Sequence, residues 1–379
     1  MREALPLWTR HESGIIQFRL PLPFALKWVN VYLLQDEEGW TIVDPGLRTD
    51  EAEAAWERLA AELGIAWRDI GRIVLTHYHP DHYGLAGLLQ ERTGAEVYLS
   101  ETAHRYAQRL WGEGETFSGE LADALREHGL PATQSDGVRA HLDSVKRQVL
   151  PHPARLRLLR PGDKLAFGGA DWELVGGEGH APGHLALYDR ERRLMLCGDQ
   201  VLPDITPNIG WMPGGDPDPL GSYMASLRAM AAYEVDLAYP GHREPLAAYG
   251  KRVEELIAHH ERRLLSMEAL GAELAAADAD GRFSAYEMCA ALFGERIVGN
   301  PHNLRFAMAE TIAHLERLAE EGALERLAEE GAPDQGGGED ARGRLAGGRV
   351  PDREGARTGT PATGGVARCR RAYYRPARR

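Results

Sequence analysis

The spacing of apolar and polar positions divides the first hundred residues into short strands and helices. Residues 14–20 and 28–34 are apolar, β-branched runs bounded by Pro or charged turns, which predicts two strands. Glu38-Gly39 marks a turn, and 40–43 predicts a third strand closed by Asp44-Pro45-Gly46. Residues 50–63 place Ala54, Leu59 and Leu63 on or near one helical face, and Gly64 ends that helix. A strand over 72–76, a helix over 85–92 and a strand over 96–99 follow.

Residues 101–150 lack strand signals. Helices over 103–111, 119–127 and 137–148 are expected there, as an insertion over one edge of the core. Strands resume at 164–167, 171–175, 185–188 and 194–197, then a helix near 220–232 and a short strand at 237–239. From 246 to about 277 the spacing is helical, and 283–292 and 303–321 predict two further helices. Residues 315–323 and 324–332 both read LERLAEEGA. Two copies are too few for a solenoid, so a local duplication within a helical segment is expected.

Charge refines this division. The 379 residues hold 44 basic and 57 acidic side chains, a net −13. Residues 331–379 contain 11 Arg against 5 acidic residues, which puts +6 on the end of the chain and −19 on the rest. With 11 Gly, 4 Pro and no periodicity, 331–379 reads as a disordered, solvated tail whose removal leaves turnover unchanged. An acidic body disfavours nucleic acid, because phosphate binding needs a basic face. Three widely spaced Cys (Cys197, Cys289, Cys369) make no disulfide framework, and no apolar run reaches the ~18 residues of a membrane span. No signal-peptide core opens the chain. The expectation is a cytoplasmic protein with no membrane partner.

The strand at 72–76 runs into His77-Tyr78-His79-Pro80-Asp81-His82, four potential ligands within six residues at a strand-to-helix turn. His77 and His79, two apart in an extended loop, can share one metal ion. Asp81 and His82 open the next helix and can turn towards a second. Gly179-His180, Gly198-Asp199 and Gly241-His242 follow, with His180 98 residues after His82, Asp199 19 residues later and His242 43 after that. Each ligand comes directly after a Gly, just past a strand or turn, where a β-sandwich can present loops at one edge.

These residues resemble the ligand set of the metallo-β-lactamase-fold superfamily, in order. Asp44 in Val-Asp-Pro-Gly is similar to that family's first motif, a buried Asp ending an early strand. The resemblance covers about residues 14–260 and implies an α/β fold, an αββα sandwich. It also implies that His77, His79 and His180 hold one metal, that Asp81, His82 and His242 hold the other, and that Asp199 bridges them. Nitrogen and carboxylate ligands suit two Zn²⁺, with Mn²⁺ or Fe²⁺ as alternatives. His184, the second His of His-Ala-Pro-Gly-His, is read with Asp44 as support behind the ligands. A metal pair lowers the pKa of a bridging water towards ~7, so hydrolysis by a metal-bridged hydroxide is expected, with Asp81 orienting it. Cys197 ends an apolar strand and reads as a buried side chain, not a nucleophile.

Trp28 to Leu34, and Asp199 followed by Ile205-Thr206-Pro207-Asn208-Ile209-Gly210, look like the glyoxalase II-like and lactonase-like branch. Trp28, Tyr78, Asn208 and Trp211 are candidates for lining the substrate pocket, with 101–150 as a lid. Three units are expected: 1–260 catalytic, 261–330 similar to an appended winged-helix-like module, and 331–379 tail. Residues 282–330 carry five Arg and nine Glu, which argues against DNA contacts. The module is expected to support packing or homodimerisation, or to wall the substrate channel. The expected activity is hydrolysis of a small thioester, ester or lactone. A nuclease or phosphodiesterase, a non-catalytic binding protein and a mononuclear-iron dioxygenase are the alternatives.

Overall fold

In the computed structural model, which describes residues 6–294, 297, 299–330 and 370–377, the apolar runs pair into two large sheets. The first holds β1 (Trp8–Arg10), β2 (Ile16–Pro21), β3 (Trp28–Asp36), β4 (Gly39–Val43), β5 (Ile70–Val74), β6 (Glu96–Ser100) and β7 (Leu156–Leu159), in that spatial order. β1 to β4 pair antiparallel, and β4 to β7 run parallel. The second sheet uses β8 (Lys164–Phe167), β9 (Ala170–Gly177), β10 (His184–Asp189), β11 (Leu194–Gly198) and β12 (Leu237–Pro240), ordered β12-β11-β10-β9-β8.

Side chains along the strands alternate between two cores. Leu185, Leu187, Leu194 and Leu196 meet Tyr32, Leu34, Val43 and Val74 between the sheets. Their neighbours Ala186, Tyr188, Met195 and Cys197 belong to the larger core shared with the helices. Both faces are therefore buried, and this is why the strands read as unbroken apolar runs. The first sheet is followed by α1 (Asp50–Leu63), α2 (Pro80–Tyr83) and α3 (Ala86–Thr93), then by α4 (Glu101–Trp111), α5 (Phe117–Glu127) and α6 (Ala132–Lys146) of the insertion. α7 (Pro219–Met230) and α8 (Tyr249–Ala277) follow the second sheet, giving the expected αββα sandwich. Thr49 caps α1, and Trp56 on its buried face donates from its indole to the Pro45 carbonyl at 3.0 Å. That bond ties the helix to the turn after Asp44.

α8 carries no break between Tyr249 and Ala277, so the expected boundary at 260/261 falls inside one continuous helix. Beyond it, α9 (Ala285–Phe293) starts from a Ser284/Glu287 capping box and α10 (Pro301–Glu320) from an Asn300 cap. The LERLAEEGA copies then diverge. The first completes α10, burying Leu315 and Leu318. Gly322, at φ +72°, turns the chain, and the second copy becomes β13 (Leu324–Glu330). It pairs antiparallel with β14 (Arg370–Pro376). One sequence takes both forms because a partner strand outweighs weak intrinsic propensity.

β14 corrects the expectation of disorder at the C-terminal end of the tail, while 331–369 lies outside the described residues. The basic segment finds an acidic strand, with Arg375 bridging Glu325 at 2.7 Å. Tyr374 is fully buried; its hydroxyl donates to Glu316 at 2.8 Å and its ring stacks near His128 of the insertion. β14 thus fastens module to insertion. Tyr374→Ala is expected to lower unfolding free energy by about 3 kcal/mol in urea titrations, the usual cost of truncating a buried aromatic. Deleting 370–379 should cost at least as much, and an unchanged midpoint would contradict this role for β14. No described helix is long and apolar enough to cross a membrane.

Candidate metal centre

Strand direction brings the ligand loops together. β4 and β5 are parallel, and in the second sheet β9, β11 and β12 share one direction, since β10 runs against both β9 and β11. Backbone bonds stitch the two sheets here: Leu185 N–H donates to Thr76 O at 2.8 Å and Asn30 N–H to Gly241 O at 2.7 Å, while Gly241 N–H donates to Gly198 O at 2.7 Å within the second sheet. The glycines are needed at this seam. Gly198 has φ +48°, and a Cβ there would strike His184 and Thr76. A Cβ at Gly241 would fall on Asp199 and His82.

All seven predicted ligands converge there. The ligand atoms of His77, His79 and His180 lie within 4.8 Å of one another, as do those of Asp81, His82 and His242. Asp199 stands between the triads: its Oδ1 is 3.4 Å from His82 Nε2, and its Oδ2 is 3.3 Å from His242 Nε2 and 3.7 Å from His180 Nε2. Asp81 Oδ2 lies 3.2 Å from His242 Nε2.

The other ring nitrogens are taken. His180 Nδ1 bonds the Asn208 carbonyl at 2.9 Å, and His242 Nδ1 bonds the Trp28 carbonyl at 3.0 Å. His82 Nδ1 bonds Asp44 at 2.9 Å, and His77 Nδ1 meets the Thr76 hydroxyl at 2.9 Å, which donates to Asp44 at 2.7 Å. Each partner accepts from Nδ1–H, so Nε2 is the ring atom left to face the cluster. Nε2 of His77, His82, His180 and His242, with Asp199 Oδ1, is buried without a hydrogen-bond partner. A buried orphan costs about 1–3 kcal/mol, so five facing one another need an occupant. Divalent cations fit this donor set. Asp44 also lies near His77 and His82, but its two oxygens already accept bonds from Thr76 N–H, the Thr76 hydroxyl and His82, so it orients ligands rather than binding metal.

Charge separates the two halves. Burial, reinforced by neighbouring histidines, holds His77 and His79 well below the ordinary imidazole range, and burial also lowers His180. They are neutral, as ligation requires. Burial also pulls on His82 and His242, but Asp199 with Asp44 and Asp81 outweighs it at His82, and Asp199 and Asp81 raise His242 to about 10. His184 is fully buried, and burial lowers it to about 3; neither nitrogen has a partner and its ring lies 5.2 Å from that of His77. It packs behind the site as a neutral ring.

The expected substrate-wall residues divide. Tyr78 is fully buried, stacked on Tyr106 at 5.4 Å, and packs rather than facing a substrate. Trp211 lies against His128, and its amide donates to Ala309 O at 3.0 Å. Asn208 holds His180 through its carbonyl and Glu310 of α10 through its amide at 3.0 Å. Trp28 keeps a shielded indole N–H with no acceptor. The insertion is not a free lid. Trp111 of α4 donates to Tyr78 O at 3.1 Å, and His141 of α6 bonds His302 of α10 at 3.1 Å. The sequence reading missed Thr76, Asn30 and Gln17. Gln17 donates to Asn30, which in turn donates to the Pro240 and Arg243 carbonyls around His242. A lone amide in the apolar run Trp28 to Leu34 was the available signal.

Cys197, two residues before Asp199, donates to Val201 O at 3.3 Å, away from the cluster. Burial pushes its thiol up, and that of Cys289 to about 11. A Cys369→Ser chain is expected to give no reaction with an aromatic disulfide reagent at pH 8 until unfolded. Rapid native labelling would contradict the burial of both thiols.

A profile described as the metallo-beta-lactamase superfamily matches residues 29–242, and one described as the metallo-beta-lactamase-like C-terminal domain matches 272–333. A metallo-beta-lactamase family protein of Thermus thermophilus, a crystal structure, aligns with TM-score 0.73 and 36% identity over 83% of this chain and 95% of its own. The probable metallo-hydrolase YqjP of Bacillus subtilis is 27% identical over 82% of this chain and 94% of its length. The atrochrysone carboxyl ACP thioesterase of Aspergillus fumigatus is 24% identical over 72% of this chain and 71% of its length.

Proposed function

The chain belongs to the metallo-β-lactamase superfamily, and on that footing we propose that it is a hydrolase of a small thioester, ester or lactone, working with two divalent metal ions, zinc by preference. One observation carries the proposal: four histidine Nε2 atoms and a carboxylate oxygen are buried and unpartnered, facing one another. Nitrogen and oxygen donors without a thiol suit Zn²⁺, with Mn²⁺ and Fe²⁺ as the nearest alternatives. His77, His79 and His180 would hold one ion, Asp81, His82 and His242 the other, and Asp199 would lie between them. When bound, such a pair supplies Lewis acidity, bringing the pKa of water down towards ~7 and accepting negative charge from the substrate.

The chain's own residues do the rest. Asp44, Thr76, Asn208 and Trp28 hold the imidazoles with Nε2 inward, so no reorganisation accompanies reaction. Asp81 is the more open carboxylate, its side chain 21% exposed against 8% for Asp199. It can accept a proton from attacking water and orient that water towards a carbonyl carbon. No side-chain nucleophile is required, and the buried thiol of Cys197 does not supply one. The thioesterase among the relatives favours an acyl substrate, and the acidic body disfavours a polynucleotide.

A parallel panel of a thioester, a lactone, a nitrophenyl phosphodiester and single-stranded RNA tests the proposal, with metal analysis of the same preparation. Turnover of the thioester or lactone with two metal equivalents is expected. Dominant turnover of the phosphodiester or RNA would overturn it, as would a single iron accompanied by sulfur oxidation.

A further inference from the structure

α10 reaches the metal centre from the C-terminal module. Phe306 O accepts from the Asn208 side chain at 3.3 Å, and Asn208 O holds the ligand His180. On α10 His302 stands one turn before Phe306 and Arg305 immediately before it, and the Asp81 carboxylate acts electrostatically on both. We propose that Arg305 receives an oxyanionic group of the substrate, a carboxylate or phosphate remote from the bond cleaved; this rests on the hydrolase reading above.

The first support is a missing partner. The Arg305 Nε is shielded from solvent and has no acceptor, and the side chain makes no ion pair among the described residues. Arg317 on the same helix is, by contrast, paired to Asp218 at 2.9 Å. An uncompensated, partly desolvated guanidinium is costly, and a bound anion would remove that cost. The second support is position. The guanidinium carbon lies 3.9 Å from the Phe306 ring centroid, a contact that holds the group in place, and a planar fork of this kind suits a bidentate oxyanion.

The third is charge. His302 stacks on Phe24 at 4.7 Å and bonds His141, and burial lowers it to about 4. Burial lowers His141 as well, so Phe24, His141, His302 and Phe306 are uncharged at pH 7. Burial brings Arg305 only to about 10, so it keeps its proton and is the cation among them. Carboxylates and phosphates both satisfy a guanidinium fork, so the donor chemistry is shared.

The test uses the metal-loaded full chain, Arg305→Met and Arg305→Lys, and three thioesters: butyryl-N-acetylcysteamine, its succinyl analogue, and butyryl-phosphopantetheine. In Arg305→Met, kcat/KM for one charged substrate relative to the neutral one should fall at least tenfold, through KM. The responding substrate tells carboxylate from phosphate, and Arg305→Lys should restore part of the ratio. Equal loss on all three, or an unchanged ratio, overturns the proposal. Calorimetric titration with succinate and with inorganic phosphate gives a readout independent of turnover. At least tenfold weaker binding of one anion by Arg305→Met, at equal metal content, is expected. If none of the thioesters turns over while this difference persists, the acyl-hydrolase reading fails and the assignment of Arg305 stands. If turnover occurs and the difference is absent, Arg305 is not the anion site.

Discussion

Asp199→Ala is expected to retain less than half of the wild-type metal and to lose at least a hundredfold in kcat/KM. Asp199 is the residue whose two oxygens face both triads, at 3.3 Å and 3.4 Å from the Nε2 atoms of His242 and His82 and at 3.7 Å from that of His180. Losing an outer hydrogen bond to a metal ligand costs roughly 10–100-fold in affinity or activity, and removing a shared ligand should cost more. Adding His79→Ala withdraws a donor from the first triad as well, and that double variant should bind no metal. Elemental analysis after gel filtration checks both, with circular dichroism confirming the fold. Asp199→Ala with two metal equivalents and full turnover would remove the bridging role.

The seven candidate ligands were legible in the sequence because each follows a strand end and, in three cases, a glycine. Short apolar runs located those strand ends correctly, and the edge where they meet follows from strand direction. What supports the ligands was less visible. Asn30 is a single amide in an apolar strand and Thr76 lies two residues past β5, and their partners lie 210 and 32 positions away. Their hydrogen bonds exist only after the sheets meet.

Strands β1, β7, β13 and β14 escaped, β13 for a related reason. β13 repeats a sequence that is helical nine residues earlier, and only the distant β14 makes it a strand. β7 is a four-residue edge strand with Arg157 exposed, too short and too charged to separate from a loop. The expected boundary at 260/261 lies inside α8. Nothing between Tyr249 and Ala277 breaks the helix, so catalytic unit and module share α8. Arg305 gave no local sign at all, since its significance is the absence of a partner.

Asp44 separates tautomer control from folding. Its Oδ1 accepts from Thr76 N–H at 2.8 Å, and its Oδ2 accepts from the Thr76 hydroxyl and from His82 Nδ1. It thereby fixes His82 directly and His77 through Thr76, one ligand of each triad. Its backbone sits at φ +57°, which Asn tolerates and Ala does not. Asp44→Ala leaves three buried donors without an acceptor, at about 1–3 kcal/mol each, and should lose both stability and metal. Asp44→Asn keeps shape and backbone but has one acceptor atom. If its NH₂ group faces His82, it donates to Nδ1 and moves the imidazole proton to Nε2, where it blocks ligation. If its carbonyl faces His82, the NH₂ group meets Thr76 N–H, donor against donor. Asp44→Asn is therefore expected to unfold within a few degrees of the wild type yet bind metal 10–100-fold more weakly in chelator competition. Nitrogen-15 NMR of its imidazoles should show the His82 proton on Nε2. Wild-type metal affinity in Asp44→Asn would mean that Asp44 only fills space behind the ligands. Loss of stability without loss of metal would place it in the fold alone.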